Sequence, residues 1–321
     1  MKLALAGDTM LGRNVADALR TRGPSSLFSE DVIDVAQEAD LFVLNLECCI
    51  SDQGSRWSDP HKPFFFRAPP NAVEALVLLG VDCVVLANNH ALDFGPDALL
   101  DTFEHLRSAG IDWVGAGPDI EAARAEAVLE ANGFRLAVAA FSDHPSEYEA
   151  TRGKPGIAFA DLRRDSIPPW VRENMDTGRA DAVLVTPHWG PNMTSIPVPH
   201  VRAAAQELRA EGATLVAGHS AHVFQGAEGT VLYDLGDFLD DYAVDRELRN
   251  DLGLLFLVEL DANGPLGLEA VPLKLDYCHT RLAEGDDSAW IRRRFREACA
   301  FFGTEVREAH GRLVIDLRPD A

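Results

Sequence analysis

Residues 2–13 read KLALAGDTMLGR, an apolar run that breaks at a Gly-Asp pair. A run this short, closed by a turn signal, reads as a buried strand that delivers Asp8 at its C-terminal end. The pattern recurs along the chain. Leu41 to Leu46 leads into Glu47, and Cys83 to Ala87 leads into Asn88, Asn89 and His90. Ala182 to Thr186 leads into His188, and Thr214 to Ala217 into His219 and His222. Further runs of the same kind lie at Arg135 to Phe141, Thr230 to Asp234 and Leu254 to Leu260. Between them, apolar residues recur at three and four over Ala72 to Leu79, Pro96 to Ala109 and Val201 to Ala210, the helical period. Strands alternating with helices predict an α/β layered architecture.

Ligands of α/β sheets bind beyond the carboxyl ends of the strands. Asp8, Glu47, Asn89, His90, His188, His219 and His222 all fall there, and carboxylate, amide and imidazole together suit zinc, manganese or iron. Each residue also has a plainer reading. Asp8 serves equally as a helix N-cap, the Asn88–His90 stretch as a turn, and His188 as a satisfied core histidine. Glu47 fits a plain reading less well, because an unpaired carboxylate at the end of a core strand is costly. Chance would have to put every one of them at the same sheet edge.

Composition bounds the partners. The chain has 321 residues, 47% hydrophobic and 25% charged, which is ordinary for a globular protein. We expect one domain over 1–260, with a C-terminal extension over 261–321 packed on it and containing a helix at Ser288 to Phe301 and a last strand at Arg312 to Asp316. With 51 acidic residues against 29 Lys and Arg, the net charge of −22 argues against nucleic acid or an anionic membrane surface as partner. A local phosphate site remains compatible, since bound cations invert the field around them. Five cysteines without C-x-x-C spacing argue against a disulfide scaffold or a zinc knuckle. The Gly-Asp pair comes too early for a signal peptide and no stretch has membrane-spanning length, so a cytoplasmic protein is expected. Ser51 to Pro70 and His144 to Pro169 are long loops expected to border the site.

The motifs GDTMLGR (7–13), NLE (45–47), KPFFFRAPP (62–70), LANNHALDFG (86–95), VGAGPD (114–119), HWG (188–190), GHSAHVFQG (218–226) and YDLGDF (233–238) occur in an order and spacing that resembles the CapA-like (PGA_cap) poly-γ-glutamate capsule-synthesis family, itself similar to the calcineurin-like metallophosphoesterases. The resemblance covers roughly residues 1–240. It implies a four-layer α/β/β/α metallophosphatase-like sandwich with two divalent metal ions, manganese, zinc or iron. Asp8 and His222 would hold one metal, Glu47 would bridge, and Asn89, His188 and His219 would complete the second. His90 looks like the general acid, with Asp93 orienting its ring. The implied reaction is attack by a metal-bridging hydroxide on a phosphate mono- or diester. Arg13, Lys62 and Arg67, the basic residues nearest these motifs, are assigned to a small anionic substrate, phosphoester or polyglutamate-like; surface ion pairs are the alternative. The alternatives for the whole chain are a non-catalytic, polymer-handling role in capsule synthesis, or hydrolysis of a glutamyl peptide or small metabolite.

Several positions depart from the patterns resembled. Met10 stands where ordinary phosphoesterases have a histidine, Glu47 stands where Asp is usual, and two residues separate His219 from His222. Pro191 and Asn192 follow HWG where the family commonly has an acid, and Asp237 replaces an Asn. Trp189 is expected to pack under His188, and strand alternation turns Cys48 and Cys49 to opposite faces.

Overall fold

A computed structural model describes residues 1–162, 166–175, 178 and 180–318. Residues 163–165 of the expected second loop lie outside the described residues. The chain lays down half of one sheet, then a second sheet, then returns to finish the first. The opening half comprises β1 (Lys2–Thr9), β2 (Leu41–Leu46), β3 (Cys83–Val85) and β4 (Asp112–Val114). The second sheet comprises β5 (Ala127–Ala131), β6 (Phe134–Ser142), β7 (Ala182–His188), β8 (Leu215–Ala217), β9 (Ala227–Glu228) and β10 (Val231–Leu232). The closing half adds β11 (Asp237–Leu239), β12 (Leu252–Asp261), β13 (Gly264–Asp276), β14 (His279–Leu282), β15 (Arg307–Ala309) and β16 (Arg312–Asp316). Strands β1 to β4 run parallel, and β12 closes antiparallel on β1.

The parallel strands are near-continuous apolar runs because both of their faces are covered. Alternation then sorts their side chains. Ala4, Ala6, Phe42, Leu44 and Val84 pack toward α1 (Arg13–Arg22), α2 (Glu30–Ala36), α3 (Val73–Leu79) and α4 (Gly95–Ala109). Leu3, Leu5, Val43 and Val85 face Leu136, Val138, Leu184 and Leu215 of the second sheet. The other side of that sheet, with Ala137, Val183 and Val185, is covered by Val201, Ala205 and Leu208 of α5 (Pro199–Ala210). Tight glycines let neighbouring strand ends approach one another within each sheet at the site. A Cβ on Gly7 would lie 1.9 Å from the Gly236 carbonyl oxygen, and one on Gly218 would lie 2.3 Å from Trp189 Nε1.

The expected helix at Ser288 to Phe301 is α6 (Gly285–Ala300), and the last strand stands at its expected bounds. The run at Thr230 to Asp234 is a strand only over Val231–Leu232. Among the features not read from the sequence are the hairpin joining β5 to β6 through Asn132 and Gly133, the 13-residue β13, and the short strands β4, β9, β11, β14 and β15. Among the described residues, no helix is long and apolar enough to cross a membrane, and all five cysteines are free and buried.

Two stability measurements probe the closing half. Phe295 of α6 is fully buried against Phe224 and Phe256, so Phe295→Ala should cost about 3–5 kcal/mol by denaturant titration. Phe301→Ala, at an exposed ring, should stay within about 0.5 kcal/mol of the parent. Arg249 holds Asp251 Oδ1 at 2.7 Å, and Lys274 holds the other oxygen. Burial alone would raise the Asp251 carboxyl, yet these cations hold it below its usual range. Its stabilisation is therefore present above the unfolded pKa of about 3.9 and lost as pH falls through the lower folded value. Asp251→Asn should be less stable at pH 7, and its curve should converge with the parent's as pH falls below about 4.

Candidate metal centre

Strand ends of the two sheets meet at one buried point. Asp8 sits near the end of β1, where the register against β2 shifts between Ala6 and Asp8, making Gly7 the extra residue of a bulge. Such bulges re-aim side chains. Asn45 of β2 donates to Asp8 Oδ1 at 2.7 Å, and Asp8 pairs in register with Asp237 of β11. The helix-cap reading of Asp8 does not hold: α1 starts at Arg13 with Gly12 at its N-cap. Glu47 follows β2, fully buried, with Tyr242 donating to Oε2 at 3.3 Å. From the second sheet come His188, ending β7, and His219, just past β8. Their Nδ1 atoms lie 2.8 Å apart. His222 adopts a left-handed backbone at φ +59°, which turns Nδ1 to within 3.2 Å of Asp8 Oδ2 and 2.9 Å of Asp237 Oδ1.

Five of the six expected ligands carry a buried polar atom without a hydrogen-bond partner: Asp8 Oδ2, Glu47 Oε1, Asn89 Oδ1, His188 Nε2 and His219 Nε2. Leaving such groups unpaired is expensive, and a cation satisfies carboxylate, amide and neutral imidazole together. Donor atoms of Asp8, His188 and His219 lie within 4.8 Å of one another, as do those of Asp8, Glu47 and His222. The residues present therefore fit divalent metal. The partition differs from the one implied by resemblance: Asp8, not Glu47, is the carboxylate common to both groups.

Burial and neighbouring charge shift the donors in different directions. Burial, with the charge of Asp8, pushes Glu47 well above the usual carboxylate range. Burial lowers His188 far below its ordinary value and takes His219 to about 4, keeping both imidazoles neutral and able to ligate. Burial would also lower His222, but Asp237 and Glu47 outweigh it and raise the ring well above its ordinary value.

His90 stacks on Phe66 with ring centres 3.9 Å apart, and its Nδ1 lies 2.6 Å from Asp93 Oδ2. Asp93 also meets Lys62 Nζ at 2.9 Å and the Phe66 amide at 2.6 Å, so its carboxylate is fixed on several sides. The other two basic residues are committed to local partners. Arg13 reaches Asp241 at 3.3 Å, and the Arg67 guanidinium lies 4.1 Å over the Phe94 ring. Met10 is buried, and its Sδ accepts the Gly12 amide. Trp189 is buried and donates to the Tyr233 carbonyl. Cys48 and Cys49 enter different apolar clusters, and neither joins a ligand group.

Sequence reasoning missed a second Asp–His pair. Asp143 Oδ1 lies 2.5 Å from His144 Nδ1, its Oδ2 lies 3.3 Å from His200 Nε2, and the His144 ring centre is 5.2 Å from that of His188. The available signal was its place just beyond β6, at the same sheet edge as the rest.

The sequence profile described as bacterial capsule synthesis protein PGA_cap matches residues 2–242. The chain belongs to this family. It is 33% identical over 289 residues to the probable polyglutamine synthesis accessory protein of Mycobacterium tuberculosis, covering 83% of this chain and 74% of that one. It is 28% identical to the capsule biosynthesis protein CapA of Bacillus anthracis, covering 86% and 67% of the two chains. The PGA biosynthesis protein CapA of Bacillus subtilis is 27% identical, with 86% and 72% covered. Among solved structures, a hypothetical protein from Thermus thermophilus superposes with a TM-score of 0.49 at 16% identity, covering 86% of this chain and 100% of that one.

Within this PGA_cap chain the two ligand groups make separable demands. Elemental analysis of Glu47→Ala and His219→Ala should each show lost metal, whereas Cys48→Ser and Cys49→Ser should keep the parent content. Full retention in Glu47→Ala would remove that residue from the ligand set.

Proposed function

We propose that this protein is a metal-dependent hydrolase of the metallophosphoesterase type, built on a four-layer α/β/β/α sandwich and acting on an anionic ester. One observation carries the reading: Asp8 is common to two buried donor groups whose remaining donors come from both sheets. Asp8, Glu47 and His222 would hold one divalent ion, and Asp8, His188 and His219, with Asn89, the other. Such ions supply Lewis acidity and neutralise charge on the ester.

The chain's own residues divide the remaining work. Asp93 holds His90 through Nδ1, which leaves Nε2 as the atom that hands a proton to the departing oxygen. Phe66 covers one face of that ring and keeps water from it. Burial lowers the His90 pKa although Asp93 opposes the shift, so the ring gives up its proton readily. Lys62 bridges Asp93 and the Asn89 carbonyl, tying its own loop to the segment that carries both the proton donor and the amide ligand.

The relatives' names point to polyglutamate and capsule assembly, and hydrolysis is a reaction that such assembly can use. Metal-loaded protein should turn over p-nitrophenyl phosphate or its bis ester. His90→Ala should keep its metal and lose roughly 10²- to 10⁴-fold in rate. Equal rates for variant and parent would end the proton-donor assignment. Bound metal with no turnover of any ester would favour a polymer-handling role.

A further inference from the structure

Glu47 is fully buried and, among the described residues, its side chain has one hydrogen-bond partner: Tyr242, whose hydroxyl donates to Oε2 at 3.3 Å. The other oxygen, Oε1, has none. The two oxygens are therefore unequal, one engaged by a donor and one open to a cation. Tyr242 lies beyond YDLGDF (233–238), the last of the motifs that carry the family resemblance. We infer that Tyr242 is a positioning residue of the proposed metal centre: it holds Oε2 of Glu47 and leaves Oε1 for the ion that Glu47 would share with Asp8 and His222.

The tyrosine is itself held on several sides. Asp240 Oδ1 accepts the Tyr242 amide at 2.9 Å. Asp241 accepts from the Asn14 amide at 3.0 Å and from its side chain at 2.6 Å, which pins the segment after β11 to the start of α1. The ring is enclosed as well. Phe66 lies 5.8 Å from it, the His222 ring meets it nearly edge-on at 5.4 Å, and the Arg13 guanidinium sits 5.9 Å over it. Phe66 is also the ring on which His90 stacks. One side chain thus touches two of the three donors in the first group and the ring that covers the proposed proton donor.

Ring packing does not account for the residue type. Phenylalanine would make the same ring contacts and would lack only the hydroxyl, whose partner is the buried carboxylate. A carboxylate left in a dry interior without any donor is costly, so the hydroxyl offsets part of the cost of keeping Glu47 there before an ion arrives. Groups that hold a ligand from behind fix its orientation, and their loss is read first in metal affinity.

This inference rests on the metal-dependent hydrolase reading, and the test keeps the two apart. Manganese binding to the metal-stripped protein is measured by calorimetry for the parent, Tyr242→Phe, Glu47→Ala and the double variant, beside the denaturant midpoints of the metal-free proteins. Tyr242→Phe, which keeps the ring, should weaken one of the two ions by about tenfold or more and leave the other unchanged. In the Glu47→Ala background the same exchange should lower neither manganese affinity nor midpoint, because its partner is gone. Affinities in Tyr242→Phe equal to the parent's overturn the role. An exchange that costs as much without Glu47 as with it overturns it too, and makes Tyr242 a packing residue. A parent that binds no manganese overturns the metal centre and the role together. Turnover of p-nitrophenyl phosphate and its bis ester is read on the loaded parent: none with both ions bound ends the hydrolase reading, and the affinities still decide Tyr242.

Discussion

Asp8 is a carboxylate carried into a dry interior, and the molecule around it is arranged to make that tolerable. Removing a carboxylate from water is expensive unless opposite charge or hydrogen-bond donors meet it. Asn45 supplies one donor and His222 lies against the other oxygen, while Glu47 brings a second carboxylate close by. The local surplus of negative charge, with unpartnered imidazole nitrogens facing it, is the electrostatic signature of a cation site rather than of a folding core.

Holding those groups together requires two sheets at close range, and the apolar side chains packed between them set that range. Gly7, Gly218 and Gly236 stand where strand ends approach too closely for a Cβ; Gly236 also takes φ +75°, which suits glycine. The apolar clusters on either side then make the spacing rigid, since interiors packed at crystal-like density transmit displacement instead of absorbing it. The closing strands contribute here too. β11 lies beside β1, so the segment after the second sheet supplies Asp237 and Tyr242 to the site as well as completing the first sheet.

The α/β class and the strand-end residues were legible because their signals are local. A core strand ending in a polar residue is visible wherever it occurs. The length of β13 was not legible, since Pro265 and Pro272 interrupt its pattern and only pairing with β12 along most of its length overrides them. The β5–β6 hairpin was legible and overlooked: Asn132-Gly133, both at positive φ, is the turn that two-residue hairpins favour. That Asp8 belongs to both donor groups was not legible in sequence, because Asp8 follows a bulge at Gly7 that only the pairing with β2 reveals. Asp143 and His144 are adjacent in sequence, but only the fold brings His200, from α5, to them.

The positions that depart from the resembled patterns are structurally coherent. Met10 turns into the core and ties its sulfur to the Gly12 amide, so that position offers the centre no imidazole. Asp237, in place of an amide, sets a carboxylate 2.9 Å from His222 Nδ1. A carboxylate behind a ligating imidazole fixes its tautomer and raises its basicity, which strengthens the remaining nitrogen as a donor. If the site holds metal as proposed, the loss of one neutral donor would be accompanied by a stronger one at His222. Beyond HWG, Pro191 and Asn192 line a cleft without the acid common there, which leaves Asp143 as the carboxylate on its wall. The two changes act on local charge in opposite senses: Asp237 adds a carboxylate beside His222, and Pro191 with Asn192 removes one from the segment after HWG.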